Sequence, residues 1–93
     1  MLNIVTEFIG TFIFLVVILT TGQAFPIGLA LAVVIYFGGN ISGGHFNPAV
    51  STMMLVKGAI GIEKWIGYVI AQVLGGLLAL MFYKATAGKL TKK

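Results

Sequence analysis

NISGGHFNPAVSTMMLV, residues 40–56, holds the only histidine of the chain, one of its two prolines, two asparagines, two serines and a glycine pair. No Lys, Arg, Asp or Glu occurs anywhere from Phe8 through Val56. Within this stretch, Pro48–Val56 is apolar but short: nine residues rise only ~13 Å as a helix, about half of a ~30 Å hydrocarbon core. The preceding GGNISGGHF, residues 38–46, is too rich in glycine to favour a helix. A half-length helix behind glycine-rich backbone is the pattern of a re-entrant segment. Irregular backbone at membrane depth survives only where protein or a water-filled cavity satisfies its polar groups.

The rest of the chain agrees with a membrane setting. Of 93 residues, 59% are hydrophobic and 9% charged, too few charges to clothe a soluble domain. The net charge of +4 comes from six lysines with no arginine. The lysines at 57, 64, 84, 89, 92 and 93 flank apolar runs as membrane-end anchors do, so the charge does not point to nucleic acid. Cysteine is absent, which excludes disulfides and thiolate metal sites. The N-terminus lacks a basic region and carries Glu7 early, so the first apolar run reads as a retained helix, not a cleaved signal.

Three apolar runs have spanning length or come close to it: about Ile4–Thr20, Phe25–Gly39 and Trp65–Tyr83. TTGQAFP joins the first two, with Pro26 placed to begin a helix. The expected fold is an all-α membrane protein with three transmembrane helices, at about 4–21, 25–40 and 63–84. A re-entrant loop and half-helix occupy about 41–57, and a polar tail covers 85–93. Three full spans leave the two termini on opposite sides. Gly67, Ala71, Gly75 and Ala79 form a small-residue ladder at i, i+4 on the third span, suited to close helix contact.

SGGHFNPAVS, residues 42–51, resembles the first Asn-Pro-Ala box of the aquaporin, or major intrinsic protein, family. EFIGTF at residues 7–12 is similar to the family's first-helix signature, and YVIAQVLGG at 68–76 to its third-helix signature. The resemblance implies the N-terminal half of a six-span inverted repeat, in which two Asn-Pro-Ala half-helices meet at the bilayer centre. This chain carries one box and three spans. A lone half cannot enclose a pore, so the resemblance implies an antiparallel partner, with higher oligomers conceivable since family members form tetramers. In the family's usual orientation the N-terminal amine, Lys57 and Lys64 face one side, and Lys84, Lys89, Lys92 and Lys93 the other. That near balance lets one chain insert both ways, which favours a second copy as partner.

Site roles follow from residue chemistry and from the resemblance together. Pro48 at the first helical position loses no hydrogen bond, and Asn47 at the cap takes up a free backbone N–H while its amide keeps donors for a passing oxygen. Ala49 permits close approach of paired tips. A half-helix N-terminus carries partial positive charge, so two tips together repel cations, protons included. Carbonyls of Gly43, Gly44, His45 and Phe46 are expected to line the path; alternatively the glycines only allow the turn, and His45 only braces the loop. One histidine with two carboxylates makes a weak metal or catalytic site. Glu7, an acid inside an apolar run, either reaches the interface or, as the resemblance implies, accepts N–H groups of the loop, with Gln72 assisting.

The family's narrow filter draws on an arginine, which this chain lacks. The matching position is Val50, and alignment of the second span adds Ile27 and Ile35, an apolar and comparatively wide wall. The function so implied is a passive channel for water or small uncharged solutes such as glycerol, with the lipid bilayer as its medium and no cofactor. The alternatives are a non-conducting membrane interaction subunit, a truncated remnant, or a half that pairs with a separate second-half protein. The polar stretch KATAGKLTKK reads against a broken remnant. An enzyme is not expected, since no nucleophile–base–acid set exists.

Overall fold

Four helices follow one another: α1 (Leu2–Thr21), α2 (Ala24–Ser42), α3 (Pro48–Lys57) and α4 (Ile62–Thr91). The structure is a computed structural model describing the backbone of residues 1–91 and the side chains of residues 1–86. Lys92 and Lys93, the last residues of the polar stretch, lie outside the described residues. The helices Leu2–Thr21 and Ala24–Ser42, and the part of α4 from Ile62 to Thr86, are long and apolar enough to cross a membrane. At ten residues, α3 is not; it rises ~15 Å. The fold is that of an integral membrane protein with three spans and one half-helix.

Two local features differ from the sequence pattern. Residues 38–42, where glycine content predicts a break, remain helical, and α2 ends only at Ser42. In hydrocarbon an unmet backbone group costs several kcal/mol, which outweighs the ~1 kcal/mol helix penalty of a glycine. At the other end, α4 continues as helix past Lys84 into the polar stretch.

Helix α1 packs against both α2 and α4, while α3 packs against α4. Residues 58–61 turn α3 into α4, so α3 runs back along the first half of α4. The tryptophan Nε1–H of Trp65 donates to Thr52 Oγ1 (3.0 Å), and the Gln72 amide nitrogen donates to Ser51 Oγ (2.9 Å). The tip of α3, Asn47–Pro48, lies a turn beyond Ser51 and lines one groove with Gln72, Val73 and Gly76, near the middle of the span.

Small residues set how closely these helices approach. A Cβ added to Gly75 would lie 2.8 Å from the carbonyl oxygen of Phe8 and 3.2 Å from the amide nitrogen of Phe12. One on Gly67 would meet Ile4 Cδ1 at 2.6 Å. Ala71 and Ala79, on the same face of α4, are buried. Lipid tails are as apolar as leucine, so association of these helices depends on such van der Waals contact, not on burial from water. The interior is accordingly polar and the outside apolar. Glu7, Thr11, Ser42, His45, Ser51 and Gln72 are buried, while Leu29, Tyr36, Phe37, Leu77 and Met81 are exposed.

Gly75→Ala is expected to lower the thermal stability of the detergent-solubilised chain by ~1–3 kcal/mol, the usual cost of forcing extra volume into a packed contact. Circular dichroism melting reads this. Gly28→Ala, with nothing within 4 Å of the added carbon, should leave the midpoint unchanged or raise it slightly.

Candidate functional site

The loop between α2 and α3, residues 43–47, turns the chain from the end of a span to mid-membrane depth. Gly43 and Gly44 adopt φ of 95° and 69°, the left-handed region that suits glycine, and reverse the chain at once after Ser42. Phe46 shares the positive-φ conformation (52°), which is unusual for a bulky residue and costs of order 1–3 kcal/mol. Its packing holds it there. The ring is 2% exposed and fills a niche in which any Cβ on Gly10 would stand 2.2 Å from it, and one on Gly38 3.1 Å from it.

The backbone N–H groups of residues 43–46 are all bonded within the chain. Gly43 N–H closes α2 on Gly39 O (2.9 Å), and Gly44 N–H donates to Ser42 Oγ (3.2 Å). His45 N–H donates to Glu7 Oε2 (3.0 Å) and Phe46 N–H to Glu7 Oε1 (2.7 Å). Glu7 accepts two further bonds, from Ser42 Oγ (2.7 Å) and Gln72 Nε2 (2.8 Å). A fully buried carboxylate at hydrocarbon depth is costly unless its lone pairs are filled; four donors fill them here. Charge-assisted bonds of this kind are the strong ones.

A second set of bonds ties α3 to the same centre. Ser51 Oγ accepts from Gln72 Nε2 and lies 2.8 Å from His45 Nδ1. The Ser51 hydroxyl and the imidazole thus share a hydrogen bond whose direction follows the ring's tautomer. The ring of His45 also packs edge-on against Tyr68, centroids 5.0 Å apart, and Tyr68 O–H donates to Ser42 O at the end of α2.

With the donors used inward, the acceptors are left free. Among the described residues, no protein group donates to the carbonyls of Gly43, Gly44, His45 or Phe46. Asn47 follows in extended backbone (φ −163°) and caps α3: its Oδ1 accepts from Ala49 N (2.8 Å), and Pro48 holds the first helical position. That bond orients the amide and leaves the two N–H groups of Nδ2 unused on an exposed side chain. The site thus presents a run of acceptors, then a donor at the positive end of a helix.

Of the residues singled out in the sequence, Glu7, Gln72, His45 and Phe46 come together in the buried centre, and Asn47, Pro48 and Ala49 form the exposed tip. Val50 is half-buried in the first turn of α3. Ile35 touches the loop, its Cγ2 standing 3.5 Å from the position of a Cβ on Gly44. Ile27 sits half-buried near the start of α2.

Thr11, Ser42, Ser51 and Tyr68 belong to the same centre and escape sequence reasoning. Spacing marks two of them: Thr11 is four residues after Glu7 and Tyr68 four before Gln72, each pair on one helix face. The two serines open and close the SGGHFNPAVS stretch, but nothing in the sequence shows what they bond. Beyond the tip of α3, a groove of about 610 Å³ runs on between α1 and α4, lined by Thr11, Phe14 and Ile18 on one side and Gln72, Val73 and Leu77 on the other.

Comparison with known proteins places these features in context. A family model described as Major intrinsic protein matches residues 1–93. Glycerol uptake facilitator protein-like 6 of Lactiplantibacillus plantarum is 46% identical over 82 residues, covering 78% of this chain and 38% of that protein. Aquaporin Z of Brucella melitensis biotype 1 is 44% identical over 69 residues, covering 73% of this chain and 30% of that protein. The chain thus spans about a third of the length of these relatives. No solved structure matches it.

Replacing Glu7 by leucine removes the acceptor of the His45 and Phe46 amides and leaves both unpaired, at ~1–3 kcal/mol each. Hydrogen exchange followed by mass spectrometry should show the 43–47 loop exchanging at least about tenfold faster in E7L, with α1 and α4 protected as before.

Proposed function

The chain belongs to the major intrinsic protein family, and we propose that it supplies one half of a passive channel for water and small uncharged solutes such as glycerol. The other half is a second half-repeat inserted upside down, so that two half-helices meet tip to tip at the bilayer centre.

One observation carries this reading: the loop spends its N–H groups on Glu7 and Ser42 and keeps its carbonyls free up to the Asn47 amide. A water molecule or an alcohol moving along such a line donates to each carbonyl in turn and accepts from Asn47 at the tip. It exchanges one set of hydrogen bonds for another, so its dehydration is offset. A cation approaching the tip meets the positive end of α3, and meets a second such end from the partner.

Geometry supports the pairing as well. The tip of α3 lines a groove with Gln72, and that groove continues between α1 and α4 as far as Leu77. Two helices of ten residues placed end to end measure ~30 Å, the thickness of the hydrocarbon core. The name Glycerol uptake facilitator protein-like 6 favours small polyols among the solutes, and the apolar Val50, Ile27 and Ile35 in place of a charged filter fit a wide, weakly selective opening.

Stopped-flow light scattering on proteoliposomes holding this chain alone tests the reading. Shrinkage faster than in empty liposomes, with glycerol re-entry, is the expected result; rates equal to empty liposomes would leave a non-conducting membrane subunit as the better account. Val50→Arg should lower glycerol and urea permeability by about tenfold, a ~1.4 kcal/mol rise in barrier. Unchanged permeability in V50R would remove Val50 from the wall.

A further inference from the structure

Trp65 is the only tryptophan of the chain and lies in the first turn of α4, beside Glu63 and Lys64 at the end of the span. An indole at that level of a membrane protein ordinarily turns its N–H toward water or headgroups. Here it turns along the protein instead, and Nε1–H donates to Thr52 Oγ1 on the half-helix at 3.0 Å. The Thr52 hydroxyl in turn donates to the carbonyl oxygen of Pro48 at 2.8 Å. Thr6, Thr20, Thr21 and Thr86 bond back to their own helices in the same way. Among the described residues only Thr52 also receives a donor from a neighbouring helix. Pro48 opens α3 directly after Asn47, so two bonds in series lead from the end of the span to the tip.

We propose that Trp65 is a positioning residue for the α3 tip, acting through Thr52, and that this latch sets the ratio in which the channel passes glycerol and water. The proposal rests on the channel reading above and adds to it a pair of residues that do not line the groove at the tip.

The half-helix needs such a latch because it has little else to hold it. Among the described residues α4 is the one helix against which α3 packs. Two side-chain bonds join the pair: Gln72 to Ser51 and Trp65 to Thr52. Neighbouring residues on a helix point about 100° apart, so the two bonds leave α3 in different directions. Their partners stand ~10 Å apart along α4. One bond alone lets a short helix roll and tilt about it; a second, at another direction and height, stops both motions. Roll matters for a solute because Asn47, with its unused N–H groups, and Val50 belong to the tip and first turn of α3 and move with it.

Three substitutions separate the bond from the bulk around it. Trp65→Phe keeps an aromatic ring and removes the N–H, Thr52→Val keeps the shape and removes the hydroxyl, and Thr52→Ser keeps the hydroxyl. Stopped-flow light scattering on proteoliposomes gives water permeability from shrinkage and glycerol permeability from re-swelling, each less the empty-liposome rate. Their ratio is the readout: loss of folded channel lowers both fluxes alike, so a bond that only stabilised the fold would leave the ratio unmoved. Trp65→Phe and Thr52→Val should each shift the ratio about threefold in the same direction, the effect of one modest hydrogen bond. The double variant should shift it no further, and Thr52→Ser should match wild type. An unchanged ratio in either Trp65→Phe or Thr52→Val would overturn the latch and leave the channel reading standing. So would independent, multiplying shifts in the double variant, or Thr52→Ser behaving as Thr52→Val. Wild-type fluxes equal to those of empty liposomes would overturn both.

Discussion

The constraint on which this structure turns is a buried carboxylate in hydrocarbon. Glu7 lies within the first span, wholly covered, and can exist there only if its lone pairs are filled. Ser42 and Gln72 fill two positions and the loop backbone at His45 and Phe46 fills the other two. Those four bonds hold the end of α2, the middle of α4 and the re-entrant loop to one point on α1. The loop in turn has no hydrogen-bonded ladder of its own, so without the carboxylate its amides would be orphaned at the same depth. Each unfavourable element makes the other tolerable.

Packing makes that meeting possible. Glu7 reaches Gln72 because Gly75 lets the backbones of α1 and α4 touch, and it reaches the loop because Gly10 and Gly38 leave room for the Phe46 ring. The positive φ of Phe46 is strain accepted in return for aiming two consecutive N–H groups at one carboxylate. With those N–H groups spent on Glu7, the carbonyls of residues 43–46 are left without a donor among the described residues. Ser51 and His45 carry the anchoring on to α3, fixing the half-helix against α4 so that its capped tip points at the groove.

Much of the fold was legible in the sequence, for a physical reason. Spans announce themselves by length and absence of charge, and Pro48 marks the first residue of α3 because proline suits that position alone. The end of α2 was less legible: GGNIS reads as broken, yet the membrane's demand for satisfied backbone keeps it helical to Ser42. At the site, Glu7 stands out as an acid among aliphatics, and Asn47 as the residue before the proline. Ser42 and Ser51 bound the SGGHFNPAVS stretch, but their bonds to Glu7 and Gln72 show only in space. The bond from Trp65 to Thr52 is invisible to sequence altogether, since the direction in which an indole N–H turns is a property of geometry.

The anchored loop and the half-length helix are the features on which the proposed pairing with an inverted copy rests. The direct measurement is a pair of spin-label distances in the reconstituted chain, one between copies carrying Met53→Cys and one between copies carrying Lys57→Cys. If the half-helices meet tip to tip, four residues of rise on each side make the Lys57 pair farther apart than the Met53 pair by ~12 Å. Equal distances, or a shorter one at Lys57, would contradict the arrangement.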